Sequence, residues 1–212
     1  MKAFIFDLDG VIVFTDKFHY QAWKKMADRM GIYFDKTINN RLRGVSRAES
    51  LEIILERYEG TPLTDEKKKE LMEEKNNTYR ELLKTMTAEE VSEEVRDTLK
   101  KLREAGYKLA VGSSSKNAKY ILEKTELMDF FDAISDGTNI THSKPDPEVF
   151  VKAGEFLGID AEQCVVVEDA YAGIDAAKAA NMLAVGIGDA SKYDKADYRI
   201  SDFRELLQIA AL

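Results

Sequence analysis

Four short apolar runs constrain the fold of this chain more than any other feature of its sequence. They are AFIF at 3–6, KLAVG at 108–112, QCVVV at 163–167 and LAVGIG at 183–188. Runs of this length and polarity are typical of strands that are buried on both faces of a parallel sheet. Amphipathic helical patterns at 99–106 and 147–158, each ending at a glycine, lie between them. The alternation predicts an α/β fold with a doubly wound parallel sheet and right-handed crossovers.

One long segment, 15–87, interrupts this alternation. It contains no convincing strand, and its charged, amphipathic patterns predict helices at 18–31, 49–60 and 65–86. We therefore predict two domains. An α/β core is formed by 1–14 and 88–212, and an all-helical insertion by 15–87, with hinges near 14–16 and 87–92.

Composition narrows the class of protein. The net charge of -8 over 212 residues argues against nucleic-acid binding, which needs clustered positive charge to neutralise phosphates. The single cysteine, Cys164, cannot form an internal disulfide, and its setting in QCVVVED predicts a buried strand residue. No signal peptide and no membrane-spanning apolar run is apparent. We expect a cytoplasmic monomer that binds neither nucleic acid nor membranes.

Acidic and hydroxyl side chains follow the predicted strands. Asp7-Leu8-Asp9-Gly10 follows the first run, 112–117 follows the second, and Glu168-Asp169 follows the third. A lysine lies in Ser143-Lys144-Pro145-Asp146-Pro147, before the helix at 147. Ligands bind at the carboxyl ends of strands in such sheets, so these side chains are expected to meet at one edge. Four carboxylates packed together repel one another, which predicts a hard cation, one Mg²⁺ per chain.

The order and spacing of these segments resemble a known signature. FDLDGV, SSSKN, KPDP and VVEDA resemble the four motifs of the haloacid dehalogenase superfamily of phosphotransferases, over essentially the whole chain. The resemblance implies a Rossmann-like core of the type found in that superfamily. It also implies that the helical insertion is the α-helical cap that these proteins carry at the same place.

The insertion resembles one group within the superfamily. RLRGVSRAES at 41–50 is similar to the substrate-recognition loop of β-phosphoglucomutases, and 15–23 and 74–79 are similar to two further cap segments. The resemblance implies interconversion of β-D-glucose 1-phosphate and β-D-glucose 6-phosphate through an aspartyl-phosphate and β-glucose 1,6-bisphosphate. A Mg²⁺-dependent sugar-phosphate phosphatase is the alternative. A non-catalytic phospho-acceptor module is a further one, which the long insertion and the D-x-D pair disfavour.

The resemblance implies a role for each residue of the core site. Asp7 is the nucleophile, and Asp9 is the general acid/base. Ser113 and Lys144 hold the oxygens of the phosphoryl group in transfer. The metal ligands are Asp7, Glu168, Asp169 and the backbone carbonyl of Asp9. A structural alternative remains for the Glu168-Asp169 pair, which is also suited to a helix N-terminus.

The remaining predicted residues bind the substrate. Arg47 is expected to hold a second, non-transferring phosphate, since a guanidinium binds phosphate through two N–H groups. The other predicted substrate-binding residues are Gly44, Val45, Ser115, Lys116, Asn117, His19, Trp23 and Lys75. Two structural alternatives remain open: Arg47 as an ordinary helix residue after an N-cap at Ser46, and His19 as a structural histidine.

Three positions depart from the pattern of the family. They are Phe14, the pair Ser92-Glu93 and the pair Asn181-Met182. Because Phe14 and Ser92-Glu93 lie close to the predicted hinges, they bear on cap motion more than on chemistry.

Overall fold

The computed structural model describes residues 1–42 and 45–211, which contain a six-stranded parallel sheet. The strands are β1 (Ala3–Phe6), β2 (Lys108–Gly112), β3 (Ala133–Ser135), β4 (Cys164–Glu168), β5 (Leu183–Gly186) and β6 (Tyr198–Arg199). Their order across the sheet is β3-β2-β1-β4-β5-β6. The chain moves outward from β1 on one side and returns to β4 on the other. The strand order therefore reverses between β1 and β4, where doubly wound sheets bind ligands. The predicted fold class is confirmed.

Helices lie between and after the strands along the chain. They are α1 (Asp16–Arg29), α2 (Lys36–Asn40), α3 (Arg47–Leu55), α4 (Asp65–Leu83), α5 (Glu93–Glu104), α6 (Ala118–Lys124), α7 (Glu148–Leu157), α8 (Tyr171–Ala179) and α9 (Leu206–Ala210). Helix α7 ends as its sequence predicts, at Gly158 with a left-handed φ of 65°.

No helix within 1–42 and 45–211 has the length and apolar character that crossing a membrane requires.

The chain forms two compact units. The first comprises Met1–Phe14 together with the chain from Met86 to the end of the described residues, and the second comprises Thr15–Thr85. The sequence placed the second boundary at 87/88, and the division in the structure lies at 85/86.

The core of the first unit is built on the apolar strands. Every residue of β1 and β4 is buried, as expected for strands covered on both faces. Ile5 lies between Ala110 of β2 and Val166 of β4 in the sheet register. Phe150 of α7 is fully buried in the same cluster as Ile5. This packing holds the carboxyl ends of β1, β2 and β4 side by side.

The regular secondary structure of the second unit, over its described residues, consists of helices. Helix α1 buries Trp23, Met26 and Ala27 in one apolar cluster, to which α4 contributes Leu71. Helix α3 begins with a capping box, in which Ser46 Oγ accepts from the Glu49 N–H and Glu49 accepts from the Ser46 N–H. The predicted N-cap at Ser46 is confirmed, and Arg47 is the first residue of α3.

Candidate active site

The nucleophile predicted from the sequence lies at the carboxyl end of β1. The backbone N–H of Asp7 donates to the Val167 carbonyl at 2.9 Å, which fastens the chain beyond β1 beside β4. Glu168 is the last residue of β4. Because β1 and β4 are paired with Phe6 opposite Val167, the residues that follow each position come out at the same level of the sheet. Asp7 and Glu168 are thus neighbours by topology, although they are 161 positions apart in the sequence.

A single lysine joins these two acids. Lys144 Nζ donates to Asp7 Oδ1 and to Glu168 Oε1, at 2.5 Å each. The side chains of Lys144, Asp7 and Glu168 are only 11%, 11% and 1% exposed. Burial disfavours the ammonium form, but attraction to Asp7 and Glu168 outweighs it, so the pKa of Lys144 is raised. Lys144 is therefore a fixed buried cation.

The loop that carries Lys144 is held against the start of α7. The backbone N–H of Glu148 donates to Asp146 Oδ1 at 2.9 Å, and Glu148 Oε2 accepts from the backbone N–H groups of Thr141 and His142 at 2.8 Å. The two bonds that Glu148 Oε2 accepts lower the pKa of its carboxyl group to about 2. The ammonium of Lys144 lies 4.7 Å from the centre of the Phe150 ring. The lysine is thus positioned by both its loop and the core beneath it.

A third acid completes a cluster of carboxylates. Oxygen atoms of Asp7, Glu168 and Asp169 lie within 4.8 Å of one another. Burial, followed by repulsion from Glu168, Asp7 and Asp9, raises the pKa of Asp169 to about 8. Burial also raises the pKa of Glu168, against the attraction of Lys144.

The donor set of this cluster fits a hard divalent cation. With all three acids ionised, as ligation of a cation requires, Lys144 would leave two negative charges to be balanced, and every side-chain donor in the cluster is an oxygen. The charge of Asp9 acts on Asp169, but its carboxylate is not part of the three-acid cluster. The contribution predicted for Asp9, through its backbone carbonyl, stays a prediction.

Two glycines that the sequence analysis did not assign make room for the acids. A Cβ at Gly10 would lie 2.1 Å from Asp169 Oδ2, and a Cβ at Gly173 would lie 1.9 Å from Glu168 Cδ. Gly10 also has a φ of +96°, which side chains rarely adopt. Its place directly after D-x-D is a signal that could have revealed it, whereas Gly173 stands in an ordinary helical sequence, AYAGIDAAKA.

The hydroxyl-rich loop predicted to bind phosphate follows β2. Ser113 is buried, and its N–H donates to the Ser135 carbonyl at 3.0 Å. Ser113 Oγ accepts from the Ser115 N–H at 3.2 Å, and Ser115 Oγ accepts from the Asn117 N–H at 3.1 Å. Lys116 is exposed, and α6 begins directly after Asn117. The hydroxyls thus hold the loop in a compact form at the edge where Asp7 lies.

The second unit brings together another group of predicted residues. Lys75 Nζ lies 2.7 Å from His19 Nδ1, and also over the rings of Trp23 and Tyr79, 4.9 and 4.8 Å from their centres. The rings of His19 and Tyr79 stack at 4.1 Å. Lys75 is only 3% exposed, which is unusual for a lysine. Trp23, Lys75 and His19 thus form one buried cluster, in which Tyr79 takes part.

Burial and two cations keep His19 neutral. Its pKa lies well below 6.5 because of desolvation first, and then repulsion from Lys75 and Arg47. Because the ammonium of Lys75 can only donate, His19 Nδ1 accepts, and the ring proton is on Nε2.

The guanidinium of Arg47 is exposed and donates to Asn76 Oδ1 at 2.9 Å. Val45, two residues before it, is also exposed, and Gly44 lies outside the described residues.

The family model for haloacid dehalogenase-like hydrolases matches residues 1–181. The chain belongs to this family. This haloacid dehalogenase-like protein is 41% identical to a β-phosphoglucomutase of Bacillus subtilis over 208 residues, which cover 97% of this chain and 92% of the relative. It is 32% identical to a phosphorylated carbohydrates phosphatase of Thermotoga maritima, over 86% of this chain and 82% of the relative.

Solved structures give the same picture. A crystal structure of β-phosphoglucomutase from Clostridium difficile superposes with a TM-score of 0.88 at 36% identity, covering 100% of this chain and 96% of that one. The similarity therefore extends over both units of this haloacid dehalogenase-like chain, and the resemblance drawn from its motifs is confirmed.

Proposed function

We propose that this protein is a Mg²⁺-dependent β-phosphoglucomutase that interconverts β-D-glucose 1-phosphate and β-D-glucose 6-phosphate. The observation that carries the proposal is the 41% identity to the Bacillus subtilis enzyme over 97% of the chain, which takes in the second unit as well as the first. The buried Asp7–Lys144–Glu168 arrangement supplies the chemistry that such a reaction needs.

Asp7 is the proposed nucleophile. One of its carboxylate oxygens attacks the phosphorus of a sugar phosphate, and the bond from phosphorus to the sugar oxygen breaks as the aspartyl-phosphate forms. Lys144 Nζ already contacts Asp7 Oδ1, so an anion that approaches Asp7 meets a fixed positive charge. Lys144 and Ser113 thereby stabilise the charge on the non-bridging oxygens of the phosphoryl group in transfer.

Asp9 is the proposed general acid/base. In its protonated form it donates to the sugar oxygen that leaves phosphorus, and in the reverse direction it accepts the proton of the attacking hydroxyl. The turn after Asp9 is closed by a bond from the Gly10 N–H to the Val13 carbonyl at 2.7 Å. This turn fixes where the backbone of Asp9 lies relative to Asp7.

The proposed metal ligands are the carboxylates of Asp7, Glu168 and Asp169 and the backbone carbonyl of Asp9. A bound Mg²⁺ would neutralise the repulsion between Asp7 and the incoming phosphate. Three ionised acids would leave two negative charges beyond the one that Lys144 balances, which supports a divalent rather than a monovalent ion.

A mutase must also hold the phosphate that is not being transferred. Arg47 is proposed to bind it from the second unit, and Ser115, Lys116 and Asn117 from the loop after β2. The pair His19–Lys75, with Trp23, is proposed to contact the sugar. The neutral His19 Nε2–H is a donor suited to a sugar hydroxyl or a carboxylate.

A sugar-phosphate phosphatase is the second candidate function. The 32% identity to the Thermotoga maritima phosphatase supports it, and hydrolysis of the aspartyl-phosphate by water needs only the groups of the first unit. The two functions differ in the fate of the phosphoryl group on Asp7, which goes either to the other sugar oxygen or to water.

Phosphorus NMR of the purified protein distinguishes the candidates. The sample contains Mg²⁺, β-glucose 1-phosphate and a trace of β-glucose 1,6-bisphosphate. A growing signal of the 6-phosphate supports the mutase, and inorganic phosphate as the main product supports the phosphatase instead. If neither signal grows while Asp7 becomes phosphorylated, the protein is a phospho-acceptor and both enzymatic candidates are wrong.

A further inference from the structure

The turn 136–139, directly after β3, contains a buried acid that the proposed reaction does not use. Asp136 is fully buried. Its Oδ1 accepts from the backbone N–H of Thr138 at 2.8 Å and from the Thr138 hydroxyl at 2.5 Å. Its Oδ2 is buried and has no hydrogen-bond partner within the described residues. Burying a carboxylate that is only partly satisfied costs free energy, so stability alone gives no reason for an acid here.

The turn is fastened on several sides. The backbone N–H of Asp136 donates to Asn139 Oδ1 at 2.7 Å, and Asn139 Nδ2 donates to Ser135 Oγ at 3.0 Å. Lys152 of α7 donates to the Asn139 carbonyl at 2.5 Å. The turn therefore moves little relative to β3 and α7, and it can serve as a fixed support for a neighbouring loop.

The neighbouring loop is the one that follows β2. The Ser113 N–H donates to the Ser135 carbonyl at 3.0 Å, and the Gly137 N–H donates to the Ser115 carbonyl at 3.2 Å. A Cβ at Gly137 would lie 2.4 Å from the Ser114 carbonyl oxygen and 2.9 Å from the Lys116 backbone nitrogen. The loop thus lies directly against the backbone of Gly137, with no room for a side chain between them.

We propose that Asp136 and Gly137 are positioning residues for the phosphate that is not being transferred. The inference rests on the proposed function, in which Ser115, Lys116 and Asn117 bind that phosphate. Asp136 closes the turn through Thr138, the turn presents the Gly137 N–H to the Ser115 carbonyl, and the loop takes its place from this contact. Neither residue touches the substrate. The ligand class that depends on them is a hexose bisphosphate, whose second phosphate must reach this loop.

The substitution Gly137→Ala tests the contact directly. The φ angle of Gly137 is not in the left-handed region, so alanine fits the local backbone, and its only cost is the clash with the loop. A displacement of the loop by up to an ångström weakens binding of the second phosphate. We expect the KM for β-glucose 1,6-bisphosphate to rise about tenfold or more. We expect kcat at saturating bisphosphate to fall less than about threefold, because Asp7 and Lys144 are left in place.

Two substitutions at position 136 separate positioning from charge. Asp136→Ala removes the acceptor for Thr138 and is expected to raise the same KM to a similar extent. Asp136→Asn keeps an oxygen acceptor in the same place and is expected to restore the KM to within about twofold of the wild-type value. Gly154→Ala is the matched control. It adds a methyl group in α7, where the nearest atom would be 3.3 Å away, and it should leave both constants unchanged.

The outcomes are distinct. If the wild type is a mutase and Gly137→Ala leaves KM unchanged, or lowers kcat as much as it raises KM, the positioning role is wrong. If Asp136→Asn behaves like Asp136→Ala, the role assigned to the Oδ1 acceptor is wrong. If Asp136→Ala does not fold, Gly137→Ala and Asp136→Asn still decide. A wild type without mutase turnover overturns the proposed function, and this inference with it.

Discussion

Lys75 Nζ lies 2.7 Å from His19 Nδ1, so a buried ammonium donates to a half-buried imidazole. The imidazole cannot take up a second proton at Nδ1 while this bond exists. Burial and the two cations Lys75 and Arg47 explain why the pKa of His19 lies well below 6.5. This arrangement makes the stability of the protein depend on pH in a predictable direction.

The first prediction concerns that dependence. Below pH 6.5 the unfolded chain takes up a proton on His19 and the folded chain does not, so His19 lowers the stability as the pH falls. Between pH 7 and pH 5 the free energy of unfolding should drop by about 2 kcal/mol more in the wild type than in His19→Gln. Urea unfolding at both pH values measures the difference. Equal slopes in the two proteins would contradict the prediction.

The second prediction concerns the buried cation of the core. Lys144→Met leaves Asp7 and Glu168 without their common partner. Loss of one member of a buried ion pair should lower the free energy of unfolding by about 3 kcal/mol in the absence of divalent metal. Lys67→Met is the control. Lys67 is 45% exposed and pairs with Glu70, so its loss should cost less than about 1 kcal/mol. A smaller loss of stability at Lys144 than at Lys67 would contradict the prediction.

The third prediction compares two glycines with similar positive φ angles. Gly10 and Gly106 have φ angles of +96° and +92°, but only at Gly10 would a Cβ meet another group, Asp169 Oδ2. Both Gly→Ala variants should therefore lose about 1 kcal/mol of stability from backbone strain. Only Gly10→Ala should also raise the Mg²⁺ concentration needed for half-maximal activity, since it displaces a proposed ligand. An equal Mg²⁺ requirement in the two variants would show that displacing the Asp169 side chain does not weaken metal binding.

The fourth prediction concerns the balance between the two candidate functions. Arg47→Ala should lower mutase turnover on β-glucose 1-phosphate by about a hundredfold, because the non-transferring phosphate loses a charged partner. Release of inorganic phosphate should change much less. Arg41→Ala is the control, since Arg41 is exposed and bonded to Glu56. Mutase activity unchanged in Arg47→Ala would remove the role assigned to this arginine.

The fifth prediction concerns stability away from the site. Glu126 follows α6 with a φ of 57°, a left-handed conformation that is unfavourable for a residue with a side chain. Glu126→Gly should raise the free energy of unfolding by about 0.5 to 1 kcal/mol. The same change inside α6, Glu123→Gly, should lower it by about 1 kcal/mol. Thermal or urea unfolding measures both, and a loss of stability at position 126 would contradict the prediction.

The strands that could be predicted from the sequence are those that lie inside the sheet. β1, β2 and β4 lie inside the sheet, and their covered faces require apolar runs that stand out in the chain. β3 and β6 are the outermost strands and have three and two residues, which is too short for a pattern to appear. The predicted strand at 183–188 ends earlier, at Gly186. The Ala190 carbonyl oxygen lies 2.3 Å from the position that a Cβ at Gly186 would take, so the chain beyond the strand packs directly against this glycine.

The part of the site that lies at the ends of strands could be predicted from the sequence. Asp7 follows β1, and Glu168 and Asp169 lie at the end of β4. Because β1 and β4 are adjacent in the sheet, these three acids come close together. No role was assigned to Gly10. Its position directly after D-x-D was the available signal, but only the distance to Asp169 shows that a side chain there would clash. Stacking of Tyr79 on His19 was not predicted either, since it depends on how α1 and α4 pack.

The ion pair between Lys144 and Asp7 joins residues that are 137 positions apart in the chain. The other two acids, Glu168 and Asp169, come from a third segment of the chain. No single segment contributes more than two of the acids around Lys144. Contacts between residues so far apart in sequence form only after the strands have assembled. They form slowly, because closing a long loop of chain costs entropy. Regain of turnover during refolding should therefore follow the appearance of helical circular dichroism, and the site is a reporter of complete assembly of the first unit.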